Sequence, residues 1–242
     1  MTSTSATTPD STTRLPDAVF FDMDGLLVET EHIWYLAETG IMEEFEVPWG
    51  PEHQAALVGG PVDLAVDYMV QHASNEGERR THAEVLTMLV ASMERLMRTE
   101  PVHWRPGAKA LLLALEDSGV PCALVSASWR NLVDAVCDAV LHEVGHGVFE
   151  TTVASGELER TKPFPDPYLL AAERLGVDPA RCVVLEDSHT GVTAGVASGA
   201  LVVAVPSLVA IEPAEGLRVV ASLEELTPEL LGAWSYEWTP RT

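Results

Sequence analysis

The chain has 242 residues, 47% of them hydrophobic, which suits one packed domain or two small ones. A formal net charge of −23 excludes nucleic acid and anionic membrane surfaces as natural partners, so an anionic substrate must be drawn in by local positive charge or metal. Three cysteines without tight spacing (Cys122, Cys137, Cys182) make no disulfide framework, and no apolar stretch reaches membrane-spanning length. Residues 1–14 are Ser/Thr-rich and lack the apolar core of a secretory signal, so a disordered tail on a cytoplasmic protein is expected, as monomer or homodimer.

The apolar run Ala18-Val19-Phe20-Phe21 predicts a buried strand, and Asp22-Met23-Asp24-Gly25 follows directly on it. Side chains at i and i+2 of a strand share one side, and the carboxyl end of a parallel strand opens into the ligand crevice of an α/β sheet. Two acids there repel unless a cation or a shared proton intervenes. Taken alone, the string also suits a plain Asp-Gly turn.

Residues 31–98 carry helical periodicity and no strand pattern, with Gly59-Gly60-Pro61 as a break. Beyond Trp104, helices alternate with short apolar strands. A helix is expected from Pro106 to Ser118, a strand over Cys122–Val125, a helix over 131–141 and a short apolar piece near Val153. Then follow a helix at 167–175, a strand at 182–185, a helix at 190–198 and a strand at 201–205. This alternation predicts an α/β fold, a Rossmann-like doubly wound parallel sheet, interrupted by an all-helical insert. The predicted organisation is a core of residues 15–30 and 102–242 with a helical cap of residues 31–101. The terminal Trp234, Tyr236 and Trp238 are expected to pack over the core or a partner.

Three further groups fall at strand ends or in loops on one edge of that sheet. Val125-Ser126-Ala127-Ser128 ends a strand with hydroxyls, Lys162-Pro163 holds one of only two lysines, and Leu185-Glu186-Asp187-Ser188 ends another strand with acids. Each has a bland alternative: a turn serine, a surface lysine, a helix cap. Together and in this order, Phe21-Asp22-Met23-Asp24-Gly25-Leu26-Leu27, Arg105-Pro106-Gly107, Ser126-Ala127-Ser128, Lys162-Pro163 and Leu185-Glu186-Asp187-Ser188 resemble the haloacid dehalogenase superfamily. Within it they are most similar to the phosphatase and β-phosphoglucomutase-like branch with a helical cap. The resemblance runs from Ala18 to about Ser207.

The resemblance implies Asp22 as nucleophile, forming an aspartyl-phosphate, and Asp24 as general acid and base. It implies that Ser126, with the neighbouring backbone at Ala127, and Lys162 hold the phosphate. A magnesium ion would be bound by Asp22, the main-chain carbonyl of Asp24, Asp187 and, directly or through support, Glu186. Thr30, Trp34 and Gly59 are candidate substrate-facing positions of the hinge and cap.

Within that superfamily, Asp24 argues against dehalogenation, and the absence of lysine from the insert closes the Schiff-base route of phosphonatases. A β-phosphoglucomutase-like phosphotransferase is the weaker alternative. Trp34 stands where its histidine would fall, and the Val58–Val62 loop lacks the expected arginine. Hydrolysis of a small phosphorylated metabolite such as a sugar phosphate is the expected activity. Glu29-Thr30-Glu31 departs from the usual Asp before Ser/Thr-Glu.

Two readings belong to other classes. His142-Glu143-Val144-Gly145-His146 matches the HExxH pattern of zinc hydrolases. Gly145 and Gly147 weaken a helix there, and neither Ser155 nor Gly156 supplies a third ligand. A non-catalytic binding module on the same fold is disfavoured by the presence of Asp22, Asp24 and Lys162.

Overall fold

The computed structural model describes residues 14–57, 62–73, 80–207 and 210–238. The expected tail up to residue 13, Gly59 and the Gly59-Gly60-Pro61 break lie outside the described residues.

Six strands form one parallel sheet: β1 (Val19–Phe21), β2 (Cys122–Trp129), β3 (Thr151–Ser155), β4 (Val183–Glu186), β5 (Leu201–Ala204) and β6 (Leu217–Val219). Their order is β3-β2-β1-β4-β5-β6, with Phe21 beside Leu124 on one flank and Leu185 on the other. Every residue of β1, β4 and β5 is buried, because helices cover both faces and the strands need no polar side. Alternate side chains divide between two apolar layers. Val19, Phe21, Leu124, Leu185 and Val203 enter one, while Ala18, Phe20, Val125, Val184 and Val202 enter the other.

Helices α1 (Glu31–Glu44), α2 (Pro51–Leu57), α3 (Val62–Ala73) and α4 (His82–Thr99) form the cap between β1 and the rest of the sheet. Ile33, Ala37 and Ile41 of α1 pack with Val66 and Met69 of α3 and with Val85, Leu89 and Met93 of α4. A capping box of Thr81 and Glu84 starts α4. The two segments joining cap and core run side by side: the Glu29 N–H donates to His103 O at 2.7 Å and the Arg105 N–H to Leu27 O at 3.0 Å. The core helices are α5 (Ala108–Asp117), α6 (Arg130–Val144), α7 (Asp166–Leu175), α8 (His189–Ala197) and α9 (Pro228–Glu237).

The structure corrects two expectations and adds a strand that the sequence pattern does not announce. Helix α5 begins at Ala108 rather than Pro106, because Gly107 takes a left-handed φ of 82° and ends the preceding turn. A side chain at Gly107 would strike the backbone of Leu223 and Glu224. Strand β2 continues to Trp129, past the serines read as its end, with a register shift between Val125 and Trp129. Strand β6, only three residues long and interrupted by Arg218, lacks a readable apolar run. The terminal aromatics pack on the core: Arg14 and Arg181 lie 4.8 and 5.5 Å from the Tyr236 ring centroid, and Trp238 Nε1–H donates to Gly199 O at 3.0 Å. Among the described residues no helix is long and apolar enough to cross a membrane.

Candidate active site

Strand β1 lies at the centre of the sheet, where connections leave toward β2 on one side and β4 on the other, so a crevice opens at its carboxyl end. Asp22 is the first residue beyond it, buried and fixed by its own N–H, which donates to Leu185 O at 3.0 Å. Lys162 enters from the loop before α7. Its Nζ donates to Asp22 Oδ1 at 2.5 Å, Glu186 Oε1 at 2.6 Å and Val125 O at 2.9 Å, so its three protons tie together the segments of β1, β4 and β2. Burial opposes the ammonium charge, but Asp22 and Glu186 outweigh it and raise Lys162 well above the usual lysine range.

Glu186 ends β4 and is fully buried. Its Oε1 accepts from Lys162 and from the Tyr168 hydroxyl at 2.8 Å. Its Oε2 accepts from the N–H groups of Asp187 and Ser188 at 3.0 and 3.1 Å and from Ser188 Oγ at 3.0 Å. Both oxygens are therefore occupied, and Glu186 fixes the lysine and the Asp187–Ser188 turn. A side chain at Gly191 would collide with it, which explains glycine in the first turn of α8. Tyr168 stacks on Phe20 at 6.3 Å and carries Lys162 Nζ 5.0 Å above its ring. Tyr168 belongs to none of the motifs above. Its signal was a tyrosine two places into a helix that follows the lysine loop.

Asp22, Glu186 and Asp187 each offer a carboxylate oxygen within 4.8 Å of the others. The trio faces a single ammonium. Burial, reinforced by Glu186 and only partly offset by Lys162, raises Asp22 well above the carboxylate range. Burial, then Glu186, pushes Asp187 up to about 7. Crowded hard oxygen donors with too little positive charge among them fit a divalent cation of the magnesium or calcium kind. Gly25, at φ 82°, lets Asp187 pack against the turn.

The Asp24 carboxylate turns elsewhere. Thr30 Oγ donates to its Oδ1 at 2.9 Å, and Ser128 Oγ to its Oδ2 at 2.8 Å, with Ser126 Oγ 3.4 Å from the same oxygen. Its side chain is thus outside the acidic trio, leaving only its main-chain carbonyl for the expected metal contact. Ser126 is buried and accepts from the Ser128 N–H at 2.9 Å, while Ala127 between them is exposed. Ser128, quoted in the motif but given no role, is thus the closer hydroxyl to Asp24.

Thr30 turns its hydroxyl toward Asp24 and makes no side-chain cap to α1. Glu29 supplies one instead, its Oε1 accepting from the Glu31 N–H at 2.7 Å while Oε2 lies 3.2 Å from His32 Nδ1. The extra methylene over aspartate allows both contacts. Trp34 is half-buried and packs against the main apolar cluster.

Over residues 16–199 the chain matches the haloacid dehalogenase-like hydrolase family. It belongs to that family. It is 32% identical over 200 residues to the bifunctional riboflavin kinase/FMN phosphatase of Arabidopsis thaliana, covering 82% of this chain and 51% of that protein. It is also 32% identical to hexitol phosphatase B of Escherichia coli K12, covering 81% of this chain and 86% of that one. Among solved structures, the D10N mutant of CbbY from Rhodobacter sphaeroides with xylulose-(1,5)bisphosphate is similar at TM-score 0.70 and 26% identity, over 88% of this chain and 96% of that chain.

In this haloacid dehalogenase-like hydrolase the HExxH string is structural. Gly145 ends α6 with φ 95°, so His146 lies beyond the helix and cannot join His142 on one helical face. His146 Nε2 instead lies 2.7 Å from Glu116 Oε1, and Glu143 pairs with Lys109 and accepts from Trp104 Nε1 at 3.0 Å. All three cysteines have thiols raised by burial, Cys122 and Cys182 to about 12 and Cys137 to about 11, so they serve packing.

Proposed function

We propose that the protein is a magnesium-dependent phosphate-monoester hydrolase that acts on a small phosphorylated metabolite of the sugar-phosphate class through an aspartyl-phosphate at Asp22. The observation that carries this is the convergence of Lys162 on Asp22 at 2.5 Å with Asp187 completing an oxygen cluster beside them. The names of the relatives support it: one is a hexitol phosphatase, another an FMN phosphatase.

In the first half-reaction an Asp22 oxygen attacks phosphorus in line. The bond to the substrate alcohol breaks, and Asp24 delivers a proton to that oxygen. In the second, water attacks phosphorus, Asp24 takes its proton, and the acyl-phosphate bond breaks to return the Asp22 carboxylate and free phosphate. Lys162 offsets charge on Asp22 and the phosphoryl oxygens, and Ser126 with the backbone at Ala127 holds those oxygens. Asp22 and Asp187, with the Asp24 carbonyl, would hold magnesium, whose chemistry there is neutralising charge between two anions. The Thr30 bond ties Asp24 to the first turn of the cap, at residues 31–101, which opens for substrate and closes over the intermediate.

The test is a panel of phosphate monoesters assayed with and without magnesium, including both anomers of glucose 1-phosphate. Magnesium-dependent phosphate release is expected. Conversion of glucose 1-phosphate to glucose 6-phosphate without net release would favour the phosphotransferase, and metal-independent hydrolysis would contradict the assignment.

A further inference from the structure

Strand β2 carries more chain than its neighbour needs. Four steps separate Val125 from Trp129, but only two separate their β3 partners Val153 and Ser155. Ser126, Ala127 and Ser128 take up the surplus at the carboxyl end of the sheet, and such an irregularity bends a strand and re-aims its side chains. The detour is anchored beyond its far end. Trp129 is back in register with Ser155, and Arg130 Nη1 donates to Thr152 Oγ1 of β3 at 2.6 Å. Within the detour, Ser126 Oγ accepts from the Ser128 N–H at 2.9 Å, so the backbone there is satisfied without the Ser128 side chain. The Ser128 hydroxyl is left to donate outward, and it reaches Asp24 Oδ2 at 2.8 Å.

The two oxygens of Asp24 are thus held from different parts of the molecule. Oδ1 accepts from Thr30, in the segment that leads into the cap, and Oδ2 from Ser128, on a core strand. Ser126 Oγ is 3.4 Å from Oδ2, a long contact for a hydroxyl. An aspartate carboxylate turns easily about its last bond, so one oxygen pinned to a fixed strand sets its plane.

We infer that Ser128 is the positioning residue of the general acid and base: it holds Asp24 Oδ2 so that Oδ1 is the oxygen presented to the leaving group. This rests on the phosphatase reading above. As the phosphorus–oxygen bond of the ester breaks, its electron pair passes to the substrate oxygen, which takes the proton from Asp24 Oδ1 and leaves a carboxylate. Ser128 keeps its own proton and donates to Oδ2 before and after the transfer. Thr30 can stay on a lone pair of Oδ1 throughout. A hydroxyl fixed in the core does not travel with the cap, so Asp24 keeps one orientation through both half-reactions, in which it first gives and then takes a proton.

The test compares wild type, Ser128→Ala, Asp24→Asn and the double variant, all magnesium-loaded, on phenyl phosphate and p-nitrophenyl phosphate. The two esters share the aryl ring and differ chiefly in how much protonation the leaving oxygen needs. Ser128→Ala is expected to lower kcat on phenyl phosphate about ten- to hundredfold, the span of one hydrogen bond to a charged group, and far less on p-nitrophenyl phosphate, with KM unchanged for both. In the Asp24→Asn background the same change should cost almost nothing, because no proton is left to aim. Ser128→Thr, which keeps the hydroxyl, should restore the wild-type ratio between the esters. A serine that served only the irregular strand would lower the melting temperature and slow both esters alike. One that gripped phosphoryl oxygens would raise KM and add its loss to that of Asp24→Asn. Either result overturns the inference, whereas a wild type that releases phosphate from neither ester would remove the phosphatase reading itself.

Discussion

Two buried acids, one in the core and one in the cap, show how differently the two regions treat charge. Glu186 lies at the end of β4 with donors on both oxygens: an ammonium, a phenol, a hydroxyl and two backbone N–H groups. Glu38 lies in α1 with a single indole N–H at 3.3 Å, and burial pushes it up to about 7. Strand ends and the turns after them leave backbone donors free to converge on a side chain, whereas a helix interior has spent its own. The core can thus hold a dense cluster of fixed charges, and the cap holds an acid that is easily protonated. A catalytic centre needs the first kind of environment.

The sharpest way to break this comparison is at Asp24, where the core meets the cap through Thr30. Asp24→Asn keeps the hydroxyl partners but loses the transferable proton. Turnover of unactivated esters should fall about 10²–10⁴-fold, with a smaller loss on p-nitrophenyl phosphate, whose leaving group needs little protonation. Equal losses on both would place Asp24 outside proton transfer.

Lys162→Met removes the one ammonium from the acidic cluster. Stability without metal should drop by about 3–5 kcal/mol, the cost of leaving buried charge unpaired, as read by denaturant titration. A near-neutral effect would mean that the core acids are less committed to charge than their geometry implies.

Glu38→Gln sharpens the cap side, since the amide oxygen can still accept from Trp49. A carboxyl raised from its ordinary 4.5 to about 7 keeps its proton longer when folded than when unfolded. Its contribution is intact below about pH 4.5 and is lost as pH rises through about 7. Between pH 5 and pH 8 the wild type should therefore lose up to about 3 kcal/mol relative to Glu38→Gln. Parallel pH profiles for the two proteins would remove Glu38 as a titrating group.

Much of the core was legible because its strands are short apolar strings that end in polar residues. Asp22, Lys162 and Asp187 could be picked out for that reason: each interrupts an apolar or Pro-rich pattern at a point where a parallel sheet opens. What escaped depends on geometry that no local pattern encodes. Tyr168 reads as one more apolar helix residue until its hydroxyl is found on Glu186. Ser128 carries no signal of its own because the apolar run of β2 stops at Val125, four residues before the strand does. Glu29 looked like a mere departure, yet its added length lets it cap α1 and reach His32 together. The HExxH string misled in the opposite direction, since its spacing has meaning only on a helix that continues, and Gly145 stops this one.

Asp22 should carry the phosphoryl group between the two half-reactions. Quenching the magnesium-loaded enzyme during turnover with borohydride reduces an acyl-phosphate to the alcohol, and peptide mass spectrometry then locates the modified residue. Homoserine is expected at position 22 in the wild type, with neither modification nor turnover in a folded Asp22→Asn variant. Reduction at any other acid, or undiminished turnover by Asp22→Asn, would contradict it.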